Sequence, residues 1–275
     1  MHIHLKNRAL LKISGTDSES FLQAQLSNDL KRLDQKSVQL SAYCQHQGKI
    51  IALFWIIRKE DSFFLSMPED LIDKVKTRLE MFVIMSDVTI QDISKKYIQI
   101  GLINEIHSDA YSINNKQSLL IEESYIFNQE ISANLNEWIK TCIDSEIPDI
   151  FLSSSEKFVP QMLNLDIDEI GVSFSKGCYP GQEVVARLHY LGEAKRRLFS
   201  FTSKSEMQVG DNLFCASSNA AKVRGDRYKG SGIVVNKVKY NSLFYCLATL
   251  DVDLLSSKIT LNNEHGPILN KINHA

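Results

Sequence analysis

The chain has 275 residues, enough for two or three packed domains, and its 44% hydrophobic and 23% charged residues exclude a globally disordered protein. The net charge of −2 provides no overall basic field, which disfavours direct tRNA binding or non-specific coating of nucleic acid. No stretch approaches the roughly 20 apolar residues of a membrane span. The N-terminal residues contain no export signal, so we expect a cytoplasmic protein without a membrane partner.

The first part of the chain alternates strand and helix patterns. Ala9–Ile13 predicts a strand, and a capping box of Thr16 and Glu19 predicts the start of a helix of about four turns. Three strands are then predicted, at Val38–Cys44, Lys49–Arg58 and Phe63–Met67. Pro68 suits the start of a second helix, and Val88–Ile93 closes the unit as a strand. This order is a ferredoxin-like α+β pattern with one extra strand.

The next elements predict a second α+β unit. Tyr97–Ile103 and Ser118–Phe127 favour strands, and apolar residues between Ile131 and Cys142 recur at helical spacing. Because the element order resembles that of the first unit, residues 1–195 are predicted to form two tandem ferredoxin-like units. The sequence itself shows no repeat, so this duplication rests on element order alone.

The texture of the sequence changes from Arg197 onward. Short strands alternate with Gly, Asn, Asp and Ser, and both faces of Leu243–Leu250 are largely apolar. Such strands are typical of a small closed barrel. Residues 196–275 are therefore predicted to form a C-terminal antiparallel β-barrel domain.

Five cysteines are present, and they are widely spaced: Cys44, Cys142, Cys178, Cys215 and Cys246. Their odd number and the absence of any C-x-x-C disfavour a disulfide framework. A self-contained zinc site or four-cysteine cluster is also disfavoured, because such sites draw on closely spaced ligands. No metal site is certain from sequence, although Cys178 is a candidate ligand.

Residues 176–183 carry the most chemistry, reading Lys176-Gly177-Cys178-Tyr179-Pro180-Gly181-Gln182-Glu183. The two glycines permit backbone conformations closed to other residues and let a ligand approach. Pro180 and Glu183 suit the first turn of a helix. This arrangement places Cys178 just ahead of a helix N-terminus with Lys176 nearby, which favours the thiolate form. The alternative is a buried cysteine acting as a small hydrophobe in a glycine-rich turn.

This segment resembles the signature region of the YgfZ proteins, which are folate-binding relatives of the glycine-cleavage T-protein. The K-G-C-Y-x-G-Q-E core is preceded by Pro160-Gln161-Met162-Leu163-Asn164-Leu165 and followed by Val185-Ala186-Arg187. A looser similarity includes Phe21–Asp29 and the hairpin at Gly48-Lys49, and about residues 8–250 are covered. The resemblance implies tandem ferredoxin-like units forming a ring, with a C-terminal barrel attached.

The resemblance also implies a function and a set of site residues. The family is implicated in keeping iron–sulfur enzymes active, including those that thiolate tRNA, so folate and iron–sulfur client or assembly proteins are the expected partners. Tetrahydrofolate or a derivative is the expected cofactor. Whether a transient iron–sulfur cluster also binds is left open. Cys178 is assigned the chemical role, and its supporting residues are Lys176, Gly177, Tyr179, Gly181, Gln182, Glu183 and Arg187.

Four further residues are candidates for binding folate. Trp138 matches a family position linked to folate and suits stacking on a pterin, or else belongs to the core. Arg8 replaces a second family tryptophan and suits the glutamate tail of a folate. Asn28 and Asp29 follow the first helix and either hydrogen-bond a ligand or cap the next turn.

The rival function is a folate-dependent aminomethyl transferase. T-proteins with that activity carry an aspartate on the strand after the glycine-containing hairpin, but Lys49–Trp55 contains no carboxylate here. The resemblance therefore favours an accessory factor over the transferase. The client enzymes, the folate form, the chemical role of Cys178 and the oligomeric state are left open by the sequence.

Overall fold

Three β-sheets organise the chain, of which the computed structural model describes residues 1–125, 134–217 and 230–273. The chain divides into two compact units. The first comprises Met1–Trp138, Ile150–Pro160 and Leu165–Ala186. The second comprises Ile139–Asp149, Gln161–Asn164 and Arg187–Ala275. The domain boundary predicted near residue 195 stays a prediction.

The described strands of the first unit are β1 (His2–His4), β2 (Arg8–Ser14), β3 (Gln39–Cys44), β4 (Ile50–Lys59), β5 (Ser62–Pro68), β6 (Thr89–Asp92), β7 (Tyr97–Ile103), β8 (Tyr111–Ser112) and β9 (Gln117–Glu123). The described α-helices of the whole chain are α1 (Ser18–Gln25), α2 (Ile72–Glu80), α3 (Leu135–Asp144) and α4 (Gln182–Leu191). Short 3₁₀ turns occupy Leu30–Arg32, Glu69–Leu71, Pro160–Leu163, Ile167–Glu169 and Val252–Leu254. Among these residues no helix has the length and apolar character needed to cross a membrane.

The first sheet is antiparallel with the strand order β3-β4-β5-β2-β6. Residues 50–57 of β4 are all buried, which explains why this strand is a continuous apolar run rather than an alternating one. Helix α2 buries Val75 and Leu79, whose i, i+4 spacing places them on one face of the helix. The strands and the second helix predicted for this region are confirmed.

Helix α1 differs from its prediction in length and in its start. It comprises Ser18–Gln25, about two turns rather than four, because Leu26 is extended and forms a β-bridge with Tyr43. The predicted capping box was wrong. The hydroxyl of Thr16 donates to Asp87 Oδ2 at 2.8 Å, and Asp17 precedes the helix instead.

The second sheet has the order β1-β7-β9-β8. Strand β7 matches the predicted bounds, whereas β1 was not predicted as a strand. His2–His4 becomes a strand because it pairs with β7, with Ile3 opposite Gly101. The predicted strand end at Phe127 and the helical residue Ile131 lie outside the described residues.

The second unit contains a closed antiparallel barrel. Its strands are β10 (Arg196–Ser203), β11 (Asn212–Phe214), β12 (Gly232–Tyr240), β13 (Leu243–Asp251), β14 (Ile259–Leu261) and β15 (Ile268–Lys271). They pair in the order β10-β13-β12-β11-β14-β15, and β15 closes the barrel on β10 by setting Lys271 opposite Phe201. Buried apolar residues, among them Phe201, Leu213 and Val234, fill the barrel core. The barrel is thereby confirmed, although the sequence did not predict β14 and β15.

Candidate functional site

Cys178 is exposed, whereas the other four cysteines are buried. Burial raises the pKa of the Cys44 and Cys246 thiols to about 12, so neither forms a thiolate readily near neutral pH. Only Cys178 therefore presents a thiol that a reagent or a partner reaches without unfolding of the protein.

Cys178 lines an open depression of about 540 Å³ in the first unit. One wall is a face of α1 that contributes Glu19, Ser20, Gln23 and Ala24. The remaining lining residues are Thr16, Lys31, Gly177 and Cys178. The thiol thus lies beside a polar surface that carries both a carboxylate and an ammonium group.

Lys176 fastens the segment that bears Cys178 to the end of α1. Its Nζ donates to the main-chain oxygens of Gln23 at 2.7 Å, Leu26 at 2.5 Å and Asn28 at 3.0 Å. Carbonyls at a helix C-terminus lack intrahelical donors, and a buried ammonium group satisfies them. The sequence interpretation that Lys176 favours the thiolate of Cys178 stays a prediction, while the structure shows the ammonium directed at these carbonyls.

The two motif glycines have different surroundings. Gly181 has φ +84°, and a Cβ there would lie 2.4 Å from the Gln45 oxygen and 2.7 Å from the Gly48 Cα. A side chain would therefore separate this loop from the turn between β3 and β4. A Cβ at Gly177 would meet nothing within 4 Å. Gly181 serves close backbone contact, while Gly177 leaves open space beside the thiol.

The other motif residues divide between core and surface. Tyr179 is buried, and burial raises the pKa of its phenol. Gln182 is the first residue of α4 and its N–H donates to the Tyr179 oxygen at 3.2 Å. Glu183 and Arg187 are exposed on α4. The support expected from these residues is therefore structural for Tyr179 and Gln182.

Asn28 and Asp29 have their polar groups engaged by the protein. The Asn28 side chain donates to the oxygens of Leu40 and Ile170 and accepts from the Asp29 N–H. Asp29 accepts from Gln23 and caps a 3₁₀ turn through the N–H of Lys31. Partial burial raises the pKa of Asp29, but these hydrogen bonds and nearby Lys176 outweigh it, so the net shift is downward. This geometry favours the capping alternative.

Arg8 and Trp138 meet around Trp55, a residue that sequence reasoning did not select. The Arg8 Cζ atom lies 3.9 Å from the centroid of the Trp55 ring, and the ring of Trp138 contacts Trp55 edge-on at 6.0 Å between centroids. Arg8 also donates to Ser66 Oγ at 2.8 Å. The signal that could have found Trp55 is its position on the strand after the glycine-containing hairpin.

The same cluster contains an unsatisfied polar atom. Trp55 Nε1 is buried and has no hydrogen-bond partner among the described residues. Trp138 is only 3% exposed, and a Cβ on Gly101 would lie 2.4 Å from its ring. The cluster of Arg8, Trp55 and Trp138 thus combines two indoles, a guanidinium and an unpaired N–H donor, and all three side chains are buried.

Within the ranges that the structure describes, no three His, Cys, Asp or Glu side chains converge as a metal site. Iron–sulfur clusters in proteins are commonly held by several thiolates. Cys178 is the one exposed thiol among the five cysteines.

The fold belongs to a known class. A solved structure, the glycine cleavage system aminomethyltransferase T from Bartonella henselae, matches 99% of this chain and 84% of its own with a TM-score of 0.69 at 11% sequence identity. This likeness and the closed barrel show an α+β aminomethyltransferase-like fold.

Proteins related in sequence identify the family to which the chain belongs within that fold class. No family model matches the chain. An uncharacterised protein of Haemophilus influenzae is 31% identical over 223 residues, 77% of each chain. The tRNA-modifying protein YgfZ of Colwellia psychrerythraea is 27% identical, covering 82% of this chain and 81% of its own. That of Klebsiella pneumoniae is 26% identical, with 96% and 85% covered. The chain belongs to the YgfZ family.

Proposed function

We propose that this protein is a folate-binding accessory factor for the assembly or repair of iron–sulfur proteins, including those that thiolate tRNA, and that it acts through Cys178. The observation that carries the proposal is the exposure of the Cys178 thiol beside an open depression, while the other four cysteines are buried. The relatives named as tRNA-modifying proteins support the connection with tRNA.

The surroundings of Cys178 favour an exchange with another protein. A thiol at an open surface is accessible to a macromolecule, and the motif around it is fixed by Lys176 and by the contact of Gly181 with Gly48. Because the described residues offer no further converging ligands, an iron or sulfur species at Cys178 would be shared with the client.

Folate is assigned to the cluster of Arg8, Trp55 and Trp138. The indole rings suit contact with a pterin, Trp55 Nε1 supplies an unpaired donor, and the Arg8 guanidinium suits the carboxylates of a glutamate tail. Asn28 and Asp29 fit this role less well, because neither side chain offers an aromatic face for the pterin or a positive charge for the glutamate tail. A bound folate would supply one-carbon chemistry; these three residues would bind and orient it.

The test is complementation of a strain that lacks the gene. Cys178→Ala should fail to restore methylthio-modified nucleosides in tRNA and the activity of iron–sulfur enzymes. Ser175→Ala, a change at an exposed neighbour in the same segment, should restore both. Full rescue by Cys178→Ala, or robust aminomethyl transfer in a glycine-cleavage half-reaction, would overturn the proposal, and the latter would favour the transferase.

A further inference from the structure

Residues 81–85, Met81-Phe82-Val83-Ile84-Met85, form an apolar loop between α2 and β6. Met81, Ile84 and Met85 are 66%, 72% and 103% exposed. Large apolar side chains clustered at a surface are costly in water and commonly mark an interaction site. Two methionines in such a cluster let the surface adapt to different partner shapes.

The main chain of the loop is hydrogen-bonded although its side chains are exposed. Its main chain is bonded back to α2, with the N–H of Phe82 donating to Leu79 at 3.0 Å and that of Val83 to Glu80 at 3.2 Å. Met85 adopts φ +56°, a left-handed conformation that is unfavourable for a non-glycine side chain. A strained residue presented to solvent on a fixed main chain is a preorganised contact, which reduces the entropy lost on binding.

Asp17 and Asp87 form hydrogen bonds, here called the clasp, that connect the residues after the loop to the residues before α1. Asp87 Oδ2 accepts from the Thr16 N–H at 2.9 Å and from its hydroxyl at 2.8 Å, while Asp17 Oδ2 accepts from the Asp87 N–H at 2.8 Å. Gly15, with φ +111°, allows the approach, since a Cβ there would lie 2.0 Å from the Asp87 oxygen. Thr16 also lines the depression that contains Cys178. Hydrogen bonds therefore link Asp87, two residues after the apolar loop, to a residue that lines the candidate site.

The clasp also sets the charge at the edge of the loop. Asp17 and Asp87 accept from neutral N–H and O–H donors, and the hydrogen bonds from Thr16 lower the pKa of Asp87 further below the neutral range. The Asp87 carboxylate therefore remains negative beside the apolar side chains. A complementary surface would offer an apolar pocket bordered by basic residues.

We infer that the apolar loop is the docking surface for the client protein, which binds it through an apolar pocket with a basic rim and thereby reaches Cys178. This inference rests on the proposed function. The loop supplies affinity, and the thiol beside Thr16 supplies the chemistry.

The test uses a purified iron–sulfur enzyme that methylthiolates tRNA as the probe. In the loop variant, Ile84→Ser is combined with Met85→Asn, because asparagine tolerates a positive φ. The Kd for the probe should rise at least tenfold in the loop variant, with an unchanged unfolding midpoint and unchanged alkylation of Cys178. Ile106→Ser, which alters a fully exposed apolar residue outside the loop, is the matched control and should bind as the parent does.

Further measurements separate the inference from the proposed function. Cys178→Ala should bind the probe with parental affinity yet fail in complementation. If Cys178→Ala restores tRNA modification, the proposed function is wrong whatever the loop does. If Cys178→Ala fails while the loop variant binds the probe normally, or the parent does not bind it, only the docking inference is wrong.

Binding of the loop to a second copy of the chain or to a lipid surface would give different sedimentation results. A dimer in sedimentation velocity that the loop variant converts to a monomer would identify a second copy of the chain. Sedimentation of the parent, but not of the loop variant, with phosphatidylethanolamine–phosphatidylglycerol vesicles would identify a lipid surface. Either result would overturn the assignment to a client protein.

Discussion

Lys176 donates its Nζ to the main-chain oxygen of Gln23 at 2.7 Å, which joins the cysteine-bearing segment to a helix more than 140 residues earlier. Gln23 also lines the depression beside Cys178. One contact therefore fixes both the thiol-bearing segment and the wall that faces it. A substitution that removes this contact should therefore alter the position of the cysteine-bearing segment and also lower the stability of the protein.

From the lowered pKa of Lys176 we expect the stability of the protein to rise with pH. Burial lowers its pKa to about 8, with the Asp29 carboxylate partly opposing the shift. The pKa of a lysine in the unfolded chain is about 10.4. Between the folded and the unfolded pKa, the unfolded chain binds more protons than the folded one. The free energy of unfolding therefore rises with pH in this range. The stability advantage of the parent over Lys176→Met should therefore increase between about pH 7 and about pH 9.5.

Urea unfolding of the parent and of Lys176→Met at both pH values measures this effect. Lys31→Met, which alters an exposed lysine lining the depression, is the control and should show no such trend. A difference between parent and Lys176→Met that stays flat or shrinks as the pH rises would contradict the assignment.

Thiol accessibility should distinguish Cys178 from the other cysteines. In the native protein a maleimide or a disulfide reagent should modify one thiol per chain rapidly, because Cys178 is exposed and the other four are buried. Cys178→Ala should lose this fast reaction, and the remaining thiols should react only after denaturation. Intact-mass measurement during labelling gives the count. Rapid modification of any cysteine in native Cys178→Ala would contradict the burial of the other four.

The two motif glycines should respond differently to alanine. Gly181→Ala places a Cβ against Gln45 and Gly48 at a φ of +84°, so we expect a loss of about 2 kcal/mol or more in the free energy of unfolding. Gly177→Ala meets open space and should change stability by less than about 0.5 kcal/mol. Denaturant unfolding of both variants measures these changes. Equal losses of unfolding free energy in the two variants would argue against the close backbone approach at Gly181.

Trp138 should contribute to folate affinity if the cluster around Trp55 holds the ligand. Trp138→Leu removes one indole, and we expect tetrahydrofolate to bind at least about tenfold more weakly in calorimetry. Trp138→Phe, which keeps an aromatic ring, should recover part of the loss. Tryptophan emission should be quenched by folate in the parent, since Trp55 and Trp138 are the only tryptophans. Parental affinity in Trp138→Leu would place Trp138 in the core alone.

The sequence by itself determined the local elements and the kind of chemistry available. Tyr97–Ile103 was predicted and found with the same bounds, and the buried run in β4 was visible because all its residues are apolar. The motif at residues 176–183 also identified Cys178 as the cysteine of interest. These features follow from short-range patterns of polarity, glycine and proline, which are written directly in the chain.

Only the tertiary structure decided which groups meet. Thr16 was predicted to cap a helix and instead bonds to Asp87, Lys176 bonds to the end of α1, and Arg8 meets Trp138 around Trp55. Strands β14 and β15 likewise become strands by pairing with β11 and β10, respectively, in the closed barrel. Each of these contacts joins residues far apart in sequence, and a side chain's donors and acceptors are satisfied by whichever groups the fold brings within hydrogen-bond distance.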